Sequence, residues 1–194
     1  MNLENLNVNL RTKKANHDAK RARKNGKVPG IIYGKDIKNL LFEIGELELN
    51  SAILSQGEHG TLNVNIDGDN VNTLIKEVQR DAVTKKIIHI DLEKIEQNKE
   101  ITSRVPIHFI GEELATKNGG ILQKDKDGIN VQCTSENLPK FFNLDVSDAS
   151  IGNVYKVSDI EVGKEISILD HLDSVIASIS YEQKIPENID AENK

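Results

Sequence analysis

The basic side chains of this sequence are concentrated in one segment. Between residues 11 and 35 there are nine Lys and Arg residues and one acid, Asp18, in a chain whose net charge is −6. The nine are Arg11, Lys13, Lys14, Lys20, Arg21, Arg23, Lys24, Lys27 and Lys35. Cations at this density attract polyanions. The segment therefore predicts a polyanion-binding element, although a solvated helix face or a disordered basic arm fits the pattern equally well.

A second polar group lies on two segments with strand patterns. It comprises Lys76, Gln79 and Arg80 on the first segment, and Lys85, Lys86, His89 and Asp91 on the second. The cations suit phosphates, whereas the amide, imidazole and carboxylate groups suit the base edges and 2′-hydroxyls of RNA. His89 and Asp91 share one strand face, where the carboxylate can orient the imidazole, and Ile88 and Ile90 then face the core. An ordinary polar strand surface is the alternative.

The sequence does not carry the patterns of an enzyme or a metal centre. Gly26 and Lys27 are followed by Val28, where a phosphate-binding loop requires Ser or Thr. Cys133 is the single cysteine, which excludes a disulfide framework and a multi-cysteine zinc site. The five histidines are scattered singly. We therefore expect no catalytic activity, no cofactor and no bound metal.

The sequence also indicates a cytosolic protein. No apolar run approaches the ~18 residues that cross a bilayer. The first ten residues contain Glu4 and alternating Asn residues, unlike a signal peptide. Aromatic residues make up 4% of the chain, which disfavours recognition by base stacking.

Short elements must position the polar groups of the first half. Two short helices are predicted, over residues 16–25 and 46–56, and the first has few apolar residues to pack. Strands are predicted at residues 6–10, 28–34, 40–44, 62–66, 71–79 and 87–92, with period-2 alternation at 6–10 and 62–66 and a hairpin turn at Asp67-Gly68. Many short strands with few helices predict a small β-barrel over residues 1–94.

The second half has a different charge and a simpler pattern. Residues 1–94 carry a net charge of +2 and residues 95–194 carry −8. Alternating segments near Val105, Ile129, Phe142 and Ser174 predict a mainly β C-terminal domain over residues 95–184. Residues 185–194 are predicted to form a disordered acidic tail.

Several motifs together resemble a known family. They are Lys20–Gly34 (KRARKNGKVPGIIYG), Val78–Asp81 (VQRD) and His89–Leu92 (HIDL). This set is similar to the bacterial large-subunit ribosomal protein family that binds 5S rRNA, and more closely to its two-domain form, the general stress protein CTC. Val105–His108, Gly111-Glu112 and Lys117–Gly120 resemble the second domain of that form.

The resemblance implies a structural protein that catalyses nothing and is ribosome-associated in the cytoplasm. Its barrel would bind the loop E region of 5S rRNA through the minor groove, and its C-terminal domain would contact other large-subunit components. The residues implied by motif are Arg11, Lys20, Arg21, Arg23, Tyr33, Gln79, Arg80, His89 and Asp91. Lys14, Lys27 and Lys85, from the basic segment and the second strand, complete the predicted RNA-binding set.

Two other functions remain open at this point. The acidic C-terminal domain could be the working part of a stress-related protein-interaction module. A tRNA-binding module is the other alternative, because related barrels occur as anticodon-binding modules of a glutaminyl-type synthetase. No synthetase catalytic domain accompanies the barrel in this sequence.

Overall fold

A computed structural model describes residues 5–11, 16–96, 99–116 and 120–181. The predicted RNA-binding residue Lys14 and the predicted tail 185–194 lie outside the described residues. Most described residues are in strands, and the helices are short. The predicted mainly β fold class is therefore confirmed.

Six strands of the first half close into a barrel. In chain order the elements are β1 (Asn5–Leu10), α1 (Asn16–Lys24), β2 (Lys27–Gly34), β3 (Ile37–Gly45), α2 (Glu46–Gln56), β4 (Thr61–Ile66), β5 (Asp69–Arg80) and β6 (Ile87–Lys94). Around the barrel the strands follow the order β1-β3-β2-β6-β5-β4. The pairs β1–β4 and β2–β6 are parallel, and the other neighbouring pairs are antiparallel.

Period-2 alternation decides which side chains fill the barrel. On β4, Leu62, Val64 and Ile66 are buried and the residues between them are partly exposed. Asp67 and Gly68 follow, both with positive φ, 51° and 101°. Two left-handed residues in succession make the tight turn whose twist matches an antiparallel hairpin. The predicted hairpin is therefore present.

A close contact explains the glycine in the Pro-Gly segment of β2. A Cβ atom on Gly30 would lie 2.4 Å from Cζ of Phe42 and 2.8 Å from Cγ2 of Ile90. Phe42 and Ile90 are both fully buried. Gly30 thus leaves the space that the largest side chain of the barrel core occupies.

Helix α2 forms as predicted and buries a narrow face. Leu49 and Ile53 are buried with Ala52, whereas Leu47 and Leu54 are each 87% exposed. Residues 47 and 54 lie nearly two turns apart, on the side away from the barrel. The packed face is therefore small, and one of its three buried residues is an alanine.

Strand β6 departs from the predicted alternation near its start. Gln79 pairs with His89, but Arg80 pairs with Ile87, so Ile88 is an extra residue on β6. This β-bulge places Ile87 in the core and leaves Ile88 only half-buried. Ile90 is buried as predicted, whereas the expectation for Ile88 was wrong.

The second half forms two small sheets around a separate core. Its elements are β7 (Glu100–Ile110), α3 (Glu112–Thr116), β8 (Gly120–Lys124), β9 (Gly128–Thr134), β10 (Phe142–Asp145), β11 (Val154–Lys156), a 3₁₀ turn (Val157–Asp159), β12 (Ser167–Ile168) and β13 (Val175–Tyr181). One sheet has the order β10-β7-β9-β12 and the other β11-β13-β8. Fully buried Ile129, Val131 and Ile176 lie in the core between them.

Polar contacts join the two halves near the loop after α2. The Ser103 hydroxyl donates to the carbonyl oxygen of His59 at 3.2 Å, and Lys76 Nζ donates to the carbonyl oxygen of Thr102 at 3.1 Å. Burial lowers the pKa of His59, against the opposing effect of Glu58. Among the described residues, no helix is long and apolar enough to cross a membrane.

Candidate nucleic-acid interface

Four predicted residues come together on the outer face of three adjacent barrel strands. Tyr33 is on β2, His89 and Asp91 are on β6, and Gln79 is on β5. Gln79 lies opposite His89 in the β5–β6 pair, and β6 lies between β5 and β2. We call these four residues the strand face. Its groups are a phenol, an amide, an imidazole and a carboxylate, which together donate and accept hydrogen bonds.

The predicted contact between His89 and Asp91 is present. His89 Nδ1 lies 2.8 Å from Asp91 Oδ1, and both side chains are about three-quarters buried. Asp91 Oδ1 is inaccessible to solvent, and no described donor is aligned for a regular hydrogen bond with it. With Nδ1 turned toward Asp91, Nε2 is the ring nitrogen available to a ligand.

Burial and three carboxylates affect the ionisation of Tyr33. Burial raises the pKa of Tyr33, and the negative charges of Asp91, Glu93 and Glu77 raise it further. The phenol therefore keeps its proton at neutral pH and can donate a hydrogen bond.

Beside the strand face lie two acids that the sequence reasoning missed. Glu77 lies opposite Asp91, and Glu93 lies opposite Tyr33. Glu93 forms an ion pair with Lys76 at 2.9 Å, and Glu77 accepts from Gln79 Nε2 at 3.2 Å. Strand parity could have identified them, because Glu77 is two residues from Gln79 and Glu93 two residues from Asp91. These acids suit base amino groups and 2′-hydroxyls rather than phosphates.

Helix α1 is attached to this face by Arg23. Arg23 Nη1 donates to the carbonyl oxygen of Ile88 at 3.1 Å. Within α1, Ala22 is buried, whereas Lys20, Arg21 and Arg23 are exposed. The predicted cations of α1 are thus held beside the strand that carries His89.

A cleft next to α1 brings Arg21 together with two more predicted cations. It has a volume of about 360 Å³, and Arg11, Arg21 and Lys27 line it with the acids Asp18 and Glu43. Arg21 Nη2 is 3.1 Å from Asp18 Oδ1, and Lys27 forms an ion pair with Glu43. No carboxylate among the described residues forms an ion pair with Arg11. Of the three cations in this cleft, Arg11 is therefore the one whose charge is not paired with a described carboxylate.

Arg80 has a different environment from the one the motif suggested. Its Nε and Nη2 atoms both donate to Glu58 Oε1, at 2.9 and 2.8 Å, and Nη1 donates to the carbonyl oxygen of Lys85 at 3.2 Å. Arg80 thus joins the loop after α2 to the β5–β6 connection. The contacts indicate a positioning role for this guanidinium.

The β5–β6 connection presents Lys85 at an exposed turn. Asp81 Oδ1 accepts hydrogen bonds from the backbone N–H of Val83 and from both the N–H and the hydroxyl of Thr84. These bonds lower the pKa of the Asp81 carboxyl. Lys85 has a φ of 58° and an exposed side chain. The Asp81 turn therefore positions this predicted cation beside the strand face.

The described residues contain no group of three or more His, Cys, Asp or Glu side chains that could hold a metal ion. Cys133 is buried, and burial raises the pKa of its thiol. A thiol in this setting is a poor nucleophile.

Both halves of the chain match families of ribosomal proteins. Residues 6–92 match the Ribosomal L25p family, and residues 100–183 match the family described as ribosomal protein TL5, C-terminal domain. A relative from Clostridium perfringens, named large ribosomal subunit protein bL25, is 53% identical over 94% of this chain and 91% of its own. Relatives with the same name from Carboxydothermus hydrogenoformans and Clostridium tetani are 33% and 34% identical. They cover 92% of this chain, and 89% and 92% of their own.

The chain has a barrel with a basic helix beside a hydrogen-bonding face, and it matches ribosomal proteins along its length. It is therefore a ribosomal protein, whose role is structural rather than enzymatic. The chain belongs to the Ribosomal L25p family, in the form that carries a TL5-type second domain. The predicted family and the predicted lack of enzymatic activity are both confirmed by this membership.

Proposed function

We propose that this protein is a structural component of the large ribosomal subunit that binds 5S rRNA in the loop E region. The N-terminal domain, residues 1–94, forms the contact. Proteins of this family work on the ribosome, so the site of action is the cytoplasm.

The Arg23–Ile88 contact is the observation that carries the proposal. It holds helix α1 beside the residue that precedes His89, which supports a single RNA-binding surface made of the exposed cations of α1 and the hydrogen-bonding groups of the strand face. The minor groove of an RNA helix is wide and shallow, and it displays 2′-hydroxyls and base edges between two phosphate backbones. A polar strand face flanked by cations is complementary to that arrangement.

The two halves differ in their suitability for RNA. Residues 95–194 carry a net charge of −8, which opposes close approach to phosphates. We therefore assign the RNA contact to the first half. The second domain is proposed to contact other large-subunit components.

The test is binding of the whole chain to 5S rRNA by filter retention at several salt concentrations. A 5S rRNA whose loop E is replaced by Watson–Crick pairs serves as the matched control, and tRNA serves as a competitor. We expect tight binding to intact 5S rRNA, much weaker binding to the control and little competition by tRNA. Equal affinity for all three RNAs would mean that the binding is nonspecific, and it would contradict the proposal.

A further inference from the structure

Two strands at the ends of their sheets border one groove in the second half of the chain. β10 ends the four-stranded sheet, and β11 ends the three-stranded sheet. Residues of both strands line a groove of about 640 Å³. An end strand has one side on which its backbone N–H and C=O groups pair with no neighbouring strand, and an extended segment can bind there by strand addition.

The groove is acidic. Asp145, Asp159 and Glu161 line it, and its lining includes no Lys, Arg or His. In the described part of the chain, none of these three carboxylates forms an ion pair with a cationic side chain. Lys156, the nearest cation in sequence to Asp159, directs its ammonium group to Asp173 at 3.1 Å.

Hydrogen bonds hold two of these acids in position. Asp145 Oδ1 accepts from the backbone N–H of Ser147 at 2.9 Å, and Asp159 Oδ2 accepts from the backbone N–H of Lys156 at 2.8 Å. The bonds to Ser147 also lower the pKa of Asp145. The groove therefore presents fixed negative charge at neutral pH.

Apolar side chains border the same groove. Ile110 is 46% exposed and Val154 is 51% exposed, and the half-buried Tyr155 lines the groove and packs against the core. An extended chain directs alternate side chains to opposite sides. A segment that alternates basic and apolar residues would place cations near the carboxylates and apolar groups against Ile110 and Val154.

We propose that the groove between β10 and β11 binds an extended, lysine- and arginine-rich segment of a protein partner. The segment adds its backbone to the free edge of β10, and its cations pair with Asp145, Asp159 and Glu161. Carboxylates disfavour RNA phosphates at the same place. We assign the segment to a different protein, because the densest basic stretch among the described residues of this chain, residues 20–24, is helical rather than extended. The proposal is independent of which RNA the barrel binds.

The experiment uses the full chain and a short fluorescein-labelled peptide in which Lys and Val alternate. The Asp145→Asn/Glu161→Gln variant removes two charges from the groove while retaining side-chain shape and the Ser147 contact. The matched control, Asp125→Asn/Glu136→Gln, removes two exposed charges from residues that do not line the groove. Thermal melting of both variants checks that the fold is unchanged.

We expect the peptide to bind the wild-type and control chains equally and the groove variant about tenfold more weakly, because that variant loses two of the carboxylates that pair with the cations of the peptide. Amide exchange should slow at residues 142–145 when the peptide binds. No binding, or equal weakening by both variants, would overturn the proposal. So would a short oligouridine that binds the groove in place of the peptide, or exchange that slows only elsewhere.

Discussion

Arg23 on helix α1 donates a hydrogen bond to the carbonyl oxygen of Ile88 on strand β6, across 65 positions of sequence. The next residue of β6 is His89, whose imidazole lies against Asp91. The bulged position of Ile88 thus serves as the attachment point of the basic helix. A guanidinium has five N–H donors, so Arg23 can hold this contact and still bind a phosphate.

Replacement of His89 by Ala should weaken 5S rRNA binding and leave the fold intact. Asp91 orients the imidazole, and the RNA group that Nε2 meets would lose its partner. The expected loss is about 1–3 kcal/mol of binding free energy. Affinity by filter retention and thermal melting by circular dichroism measure the two effects.

Ile90→Ala is the matched control for His89, because Ile90 is the next residue and is fully buried. It should destabilise the barrel by about 2–5 kcal/mol. If His89→Ala destabilised the fold as much as Ile90→Ala and left the affinity of the folded fraction unchanged, His89 would be a structural residue.

The Arg21→Ala/Arg23→Ala variant should bind RNA less tightly and with a weaker dependence on salt. Each lost phosphate contact lowers the slope of log K against log salt by roughly 0.7–0.9. Lys164→Ala, an exposed change in the second half, should leave the slope as in the wild type. An unchanged slope for the double variant would mean that neither arginine contacts a phosphate.

Arg80→Ala should lower the melting temperature of the barrel more than Glu58→Gln does. Arg80 donates to both Glu58 and the carbonyl oxygen of Lys85, whereas Glu58→Gln alters only the first contact. The Arg80–Glu58 pair is partly exposed, so its coupling energy should be at most about 1 kcal/mol. A double-mutant cycle in urea measures it, and a coupling of zero would contradict the positioning role.

Tyr33 should ionise above its ordinary pKa of 10.0. Burial and the carboxylates disfavour the phenolate in the folded state, so the free energy of unfolding should fall as pH rises above the ordinary value. The difference in ultraviolet absorbance between wild type and Tyr33→Phe reports this ionisation. Asp91→Asn should move the pKa back toward 10.0, and a pKa at or below 10.0 in the wild type would refute the prediction.

Gly30→Ala should destabilise the barrel by about 1–3 kcal/mol, because the added Cβ overlaps Phe42 and Ile90. Phe42→Leu in the same chain should recover part of the loss. Gly163→Ala is the matched control, since its Cβ would have no atom within 4 Å. Equal urea midpoints for the Gly30 and Gly163 variants would contradict the packing argument.

Local pattern was sufficient for much of this protein. Alternating apolar residues predicted β4, and the Asp67-Gly68 pair predicted the turn and the returning strand β5, because strand period and turn conformation depend on neighbouring residues. The spacing of His89 and Asp91 predicted their contact for the same reason. The opposite net charges of the two halves follow from a count of charged residues in the sequence. The proposed RNA surface lies in the positive half, and the acidic groove lies in the negative half.

Tertiary structure alone decided the relations between distant segments. The parallel pairing of β2 with β6, the docking of Arg23 on Ile88 and the engagement of Arg80 by Glu58 join residues far apart in sequence. None of these has a local signature, because each depends on how the barrel closes and where the β6 bulge falls. A cation in a motif can therefore be identified from sequence, but whether it faces a ligand or holds the fold together depends on the side chains that closure brings beside it.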